Sequence, residues 1–396
     1  MNARWAEAGL FSLALLAGCA NSASDSTTTK PKVEPKPCDA AAITDCLGNQ
    51  KACSMESGKA VCSACSEGEY AAKTGACEPI PGQVIEHAFA DFSTMPGEEI
   101  SGLCQSWTLN NDAEIWVNAV ELSQDEMSHH SNWTFVPDTK YAGPDGVWNC
   151  ADRQYDELGA ALAGGVLYAQ STQATHEVQK FPEGAAVRLP PHARIVSDVH
   201  VLNVGSTAVT GHIDLKLYAL DAASVVHKLT PFHMRYHDLE IPPLSTSRFT
   251  GECSIAPSFQ TALMKPYDAK LYYVLPHTHK LGSRFFLEAM GGPMDGQSIF
   301  DLGAFNGEAR GKSYDPPMDL SSVEGLRFGC EFVNPRSDTI HYGIGDQEMC
   351  EMLGFIESSA AFDSEIEKDA AAGTDGAIQL HSGPCTTLII PWDAKQ

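Results

Sequence analysis

The run Ala193–Leu202 (ARIVSDVHVL) decides the fold. β-branched residues dominate it, apolar and polar positions partly alternate, Pro190-Pro191 stand just before it, and Asn203 follows. A run of that kind is a strand with a buried face. Working outward, the same signature recurs at Ile115–Leu122 (IWVNAVEL), Gly211–Leu220 (GHIDLKLYAL), Ala269–Leu275 (AKLYYVL) and Gly325–Val333. No long amphipathic helix stands out, and Ala360–Ala372 is the one stretch that reads as helical. Many short strands from residue 81 onward predict an all-β protein with two antiparallel β-sandwich, jelly-roll-like domains in series. The 396 residues, 43% of them hydrophobic, suffice for more than one core, since single cores stop growing near about 250–300 residues.

Twenty-six basic residues against 51 acidic ones give a net charge of −25. That balance excludes nucleic acid and anionic lipid surfaces as partners and otherwise serves solubility.

The 13 cysteines indicate an oxidising compartment. Residues 1–18 read as an export signal, with Arg4 in a thin basic region and an apolar run from Gly9 to Gly18. That run is too short to cross a bilayer, which takes about 20 residues. Leu16-Ala17-Gly18-Cys19 resembles a bacterial lipobox, which implies lipidation of Cys19 and anchoring at the outer membrane or cell surface. The Ser/Thr/Lys/Pro-rich segment that follows, to residue 37, is a tether. Cys38, Cys46, Cys53, Cys62, Cys65 and Cys77 then mark a small disulfide-rich module, residues 38–80, loosely similar to EGF-like modules. Six cysteines allow 15 pairings and the spacing does not choose among them. Cys62-Ser-Ala-Cys65 reads as a structural element rather than a redox motif. With Cys19 set aside, Cys104, Cys150, Cys253, Cys330, Cys350 and Cys385 remain for three further bridges.

Histidine placement is uneven. His129 and His130 are adjacent, His200 lies in the run Ile195–His200, and His277-Thr278-His279 follows the strand ending at Leu275. Residues two apart in a strand share a face, so His277 and His279 can reach one metal. Two adjacent histidines share a metal only where the strand is bulged or ending. Imidazole alone does not select a metal, but a thioether from Met349, in Asp346-Gln-Glu-Met-Cys-Glu351, favours Cu(I). The other histidines carry no assigned role; His233 and His237 read as surface residues.

Taken jointly, these motifs resemble the copper type II, ascorbate-dependent monooxygenases, the family of peptidylglycine alpha-hydroxylating and dopamine beta-monooxygenases. The resemblance covers roughly residues 85–392. His129, His130 and His200 match the first ligand set, and His277, His279 and Met349 the second. His277-Thr-His279-Lys-Leu-Gly282, Ile241-Pro-Pro243, Cys253, Cys330-Glu-Phe-Val-Asn334 and Glu348-Met-Cys350 match the surrounding motifs. It implies an N-terminal copper domain at 81–225 and a C-terminal copper domain at 226–396, with two copper ions per chain. It implies bridges Cys104–Cys150, Cys253–Cys385 and Cys330–Cys350. Finally, it implies hydroxylation of a C–H bond of a small-molecule substrate with dioxygen and an external reductant, ascorbate-like or other. The second site would be catalytic and the first would store an electron. One departure matters: the family's peptide-carboxylate clamp positions are here Leu275, Glu351 and Leu353. A C-terminal glycine peptide is therefore not the expected substrate, and Glu351 suits a cationic or hydroxylic one. The rival reading of the same ligands is a non-catalytic copper-binding envelope lipoprotein.

Overall fold

The structure is a computed structural model that describes residues 37–125, 128–170, 174–203, 205–303, 311–343 and 346–392. For His129, His130 and Leu158 only the backbone is described. The export signal, Cys19 and almost all of the tether lie outside the described residues. No described helix is long and apolar enough to cross a membrane.

The described chain is mostly β, with β-sandwich, jelly-roll-like sheets behind a disulfide-rich N-terminal region. That region starts with a helix, Ala40–Leu47, capped by the Asp39 carboxylate, which accepts the Ala42 N–H at 2.8 Å. A hairpin, Ala52–Glu56 with Lys59–Ser63, and a short pair, Glu69–Ala71 with Cys77–Pro79, complete it. The bridges are Cys38–Cys53, Cys46–Cys62 and Cys65–Cys77, so the two cysteines of Cys62-Ser-Ala-Cys65 belong to different bridges.

The first sandwich has two six-stranded sheets. One is centred on Arg194–Leu202, flanked by Glu99–Thr108 and Asn132–Val136. The other is centred on Ile115–Gln124, flanked by Ala185–Leu189 and Ile213–Leu220. Val120 and Leu122 from one sheet and Trp133, Ile195 and Val199 from the other share one core. The second sandwich is a single 11-stranded sheet folded on itself. Its long last strand, Ile378–Pro391, runs parallel to Ser245–Cys253 in its first half and antiparallel to Ala360–Ile366 in its second. Phe249 and Phe328 from one half meet Phe232, Met234 and Phe362 from the other. The pairing is antiparallel apart from this contact, Thr230–Tyr236 beside Ala360–Ile366, and a two-residue match of Ala185–Leu189 with His227–Lys228.

The helix expected at Ala360–Ala372 is not formed. Ala360–Ile366 is a strand between two neighbours, and Ala370–Asp375 hairpins back along the last strand. Burial of Ala360, Ala361, Phe362, Ser364 and Ile366 in the ladder overrides the helix propensity of the Ala and Glu residues.

The two sandwiches meet along an aromatic seam. Tyr272, Tyr273, Leu275 and Phe355 of the second belong to the core cluster of the first. Phe181 lies edge-on to Tyr273 at 5.8 Å and to Phe355 at 4.8 Å. Burying such rings contributes about 1.5–3 kcal/mol each, so the strand Lys270–His277 is held against the first sandwich along its length.

Candidate metal centre

The seam strand Lys270–His277 delivers His277 at its end. His277 is paired in register with Glu351, the first residue of the strand Glu351–Glu357. Beyond it the chain turns: the Gly282 N–H donates to the His279 carbonyl at 3.2 Å. A Cβ at Gly282 would lie 2.4 Å from Thr278 Oγ1, so any other residue there forces the Thr278 side chain to move. His277 and His279 are buried, with ring centroids 5.2 Å apart and planes at 87°.

The Met349 turn is fastened to this one. Glu348, 1% exposed, accepts the His279 N–H at 2.9 Å on one carboxylate oxygen and the Leu281 N–H at 2.6 Å on the other. Burial pushes its carboxyl up to about 7 against the lowering effect of those N–H groups. His279 Nδ1 lies 2.8 Å from the Gln347 carbonyl oxygen. In the neutral ring the proton therefore sits on Nδ1, and Nε2 is the nitrogen that a metal would take. Cys350, directly after Met349, is bonded to Cys330 in the opposite half of the sandwich, and both sulfurs are fully buried. Two buried imidazoles on one turn and a thioether on the turn tied to it form a donor set that suits a copper ion cycling through Cu(I).

Glu351 is buried and engaged. The Tyr342 hydroxyl donates to one of its oxygens, and His233 Nε2 stands 3.7 Å from the other. His233 Nδ1 is 2.9 Å from Asp363. Burial alone would raise the Glu351 carboxyl, but the bond to His233 and its positive charge hold it well below the usual range. Burial alone would lower His233, and Asp363 and Glu351 overcome it to raise the imidazole to about 10. His233 is thus a bridge between two carboxylates, not a surface residue; His237 is half-exposed, paired with Glu365 at 2.6 Å. The other clamp positions, Leu275 and Leu353, are paired in register and packed into the seam.

In the first sandwich, His200 is 7% exposed, with Nε2 at 2.5 Å from the Glu99 carboxylate. That contact places the proton on Nε2, so Nδ1 is the nitrogen that a metal would take. His130 pairs in register with His200, and Ser128 pairs with the next residue, Val201. His129 is therefore the extra residue of a bulge, in a strand that ends at His130. The His129 and His130 side chains lie outside the described residues. Among the described residues, no three His, Cys, Asp or Glu side chains gather as a metal cage.

The two regions share an acidic wall. Glu157 and Asp198 are both exposed to solvent. Glu157 feels Asp198 of the first sandwich and Glu351 and His233 of the second. Sequence reasoning quoted Glu348 only as part of the Glu348-Met-Cys350 motif, without a role, and passed over Glu99 and Glu157.

No family model matches the chain, and no curated protein matches it. Solved structures match only distantly. The major capsid protein P2 of bacteriophage PM2 aligns at 8% identity and a TM-score of 0.27, over 70% of this chain and 98% of that one. The empty particle of cowpea mosaic virus gives 9%, 0.31, 68% and 89% for the same quantities. Likenesses of this size carry no argument about function.

Proposed function

We propose that the chain is a copper type II monooxygenase, exported and lipid-anchored, that hydroxylates a C–H bond of a small organic substrate using dioxygen and an external one-electron reductant. The observation that supports it is the pair of turns tied together. Gln347 and Glu348 hold His279, Met349 follows directly, and Cys350 is anchored to Cys330. Copper held by His277, His279 and Met349, and by His129, His130 and His200, would supply dioxygen binding at the one site and an electron store at the other.

The chain's own residues do the rest. Glu348 and Gln347 orient His279, and Glu99 orients His200. Leu275 and Leu353 leave no cation to meet a substrate carboxylate. Glu157 and Asp198 give an exposed acidic surround that repels anions and suits a cationic or hydroxylic group, while Glu351 is held by Tyr342 and His233. One oxygen atom enters the substrate; the other leaves as water with two protons and two electrons from the reductant.

The test is copper stoichiometry together with oxygen uptake. The reading expects two coppers per chain, one lost in His200→Ala and the other in His279→Ala, and oxygen uptake driven by a one-electron reductant. A single copper, or zinc retained at both sites after copper loading, overturns it. Two coppers without oxygen uptake under any reductant favour a non-catalytic copper-binding protein of the envelope.

A further inference from the structure

We infer that the cysteine-rich module is a clasp across the seam, holding the strand that delivers His277 against the strand that leads towards His129 and His130. The module touches both sandwiches. On the first, the Gly68 N–H donates to Glu121 at 2.9 Å. Glu121 is 1% exposed and also bonds Tyr218 at 2.6 Å and His176 at 2.8 Å. Ile80 packs with Ala119 and Tyr218, and Lys180 sits 4.4 Å over the Tyr70 ring. Lys216 pairs with Glu67. On the second sandwich, Gln50 donates to the Gly311 carbonyl at 3.0 Å. Lys73 reaches the Asp315 carboxylate at 2.5 Å and its carbonyl at 3.1 Å.

The docking point on the second sandwich sits on the immediate partner of a site-bearing strand, and the one on the first lies on the strand that precedes the other site in the chain. Glu121 lies within Ile115–Gln124, the strand preceding Ser128–His130. Lys312 and Ser313, between Gly311 and Asp315, pair with Val274 and Tyr273 of the strand that ends at His277. A Cβ at Gly311 would overlap the Tyr273 hydroxyl, so the Gln50 contact rests directly on the seam. Ser313 Oγ also donates to the Lys180 carbonyl at 2.5 Å, joining the sandwiches at the same place.

The module is built to transmit position rather than to store stability. Cys46, Ala72 and Ile80 are its buried apolar side chains. Its three bridges replace a core and make it stiff. A stiff element bonded on both sides of a seam resists sliding of one sandwich on the other. This inference needs no metal and stands apart from the copper reading.

The test uses the full chain without metal. Gln50→Ala combined with Lys73→Ala releases the arm on the second sandwich and changes only surface or half-buried groups. Hydrogen exchange in Lys270–His277 and Glu351–Glu357 should then rise about tenfold, the factor for losing two hydrogen bonds and one weak ion pair at the low end of their ranges. Exchange in Gly325–Asn334, on the other half of that sandwich, should stay unchanged. The reciprocal swap, Lys73→Asp with Asp315→Lys, should keep wild-type exchange, while Lys73→Asp alone should not. Unchanged exchange at the seam, or an increase spread evenly over both sandwiches, overturns the clasp.

Discussion

The His279 N–H donates to the Glu348 carboxylate at 2.9 Å, so the two turns bearing His279 and Met349 form one unit. Glu348 also takes the Leu281 N–H at 2.6 Å, which leaves this buried acid bonded on both oxygens. Its role is to fix the approach of a ligand it does not itself supply.

The Glu348→Ala variant should show what that fixing is worth. Two buried N–H groups lose their acceptor, at a cost of about 1–3 kcal/mol each. Copper affinity at this site should fall by roughly 10–100-fold, the usual effect of losing a ligand's orienting partner. Glu348→Gln keeps one acceptor oxygen and should fall between the variant and wild type. Competition titration with a Cu(I) chelator and denaturant unfolding measure the two effects separately. Wild-type copper affinity in Glu348→Ala would show that the two turns hold their positions without this acid.

His233 predicts a pH dependence of stability. Its folded value is raised to about 10, from an ordinary value near about 6.5. The charged imidazole therefore stabilises the fold fully below about pH 6.5, and that contribution is lost as pH rises towards 10. Its partner Asp363 is lowered. Asp363 contributes above the ordinary carboxylate range, and that part is lost as pH falls through its folded value. His233→Gln removes the shared cation between Asp363 and Glu351, and the site is only a quarter exposed. The cost should lie near the lower end of about 3–5 kcal/mol at neutral pH. The difference in Tm between wild type and variant should shrink steadily from pH 6.5 to 10. A constant difference across that range would place the His233 charge outside the balance.

Substrate choice gives a third expectation. Leu275 and Leu353 face the seam core as a paired couple, and Glu351 is already engaged by Tyr342 and His233. Among the described residues, the cation beside Glu351 is His233, and it is already held between Glu351 and Asp363. Glycine-extended peptides should be neither hydroxylated nor competitive in oxygen-uptake assays. Detection of an alpha-hydroxyglycine product by mass spectrometry would contradict this.

The strands were legible because they are short runs rich in β-branched and aromatic residues bounded by Gly, Pro, Asn or Asp, even though most are buried on both faces. Ile115–Gln124, Arg194–Leu202, Ile213–Leu220, Lys270–His277 and Gly325–Asn334 all form where the pattern put them. Ala360–Ala372 misled because Ala and Glu carry helix propensity, and the ladder that overrides it sets Ala360–Ile366 between Ile378–Pro391 and Thr230–Tyr236, the second over 100 residues away. His233 was read as exposed because its two carboxylate partners, 118 and 130 residues on in sequence, leave no local trace. The requirement for a bulge or strand end at His129-His130 was legible from strand geometry alone, and the backbone meets it. The seam and the docking of the module were not legible. They depend on which face of Lys270–His277 is turned to the first sandwich, and that strand is buried almost throughout.

Met349 supports the sharpest prediction. It is 9% exposed, next to a disulfide cysteine and directly after the residues that hold His279. Thioether sulfur is a soft donor, so its effect should be greatest on the reduced metal. Met352, three residues on, is fully buried in the second core and pairs in register with Pro276 and Met234. The two methionines thus share one segment but lie in different surroundings. Met349→Ile should remove the copper–sulfur shell from the X-ray absorption spectrum of the reduced protein and abolish oxygen-dependent turnover. Copper at the first site and the fold should remain. Met352→Ile should keep the shell and cost under about 1.5 kcal/mol, the range for a volume-conserving core swap. A shell that persists in Met349→Ile, or disappears in Met352→Ile, would assign the sulfur ligand elsewhere. A shell that behaves as expected in protein that consumes no oxygen would keep the ligand set and remove the catalytic reading.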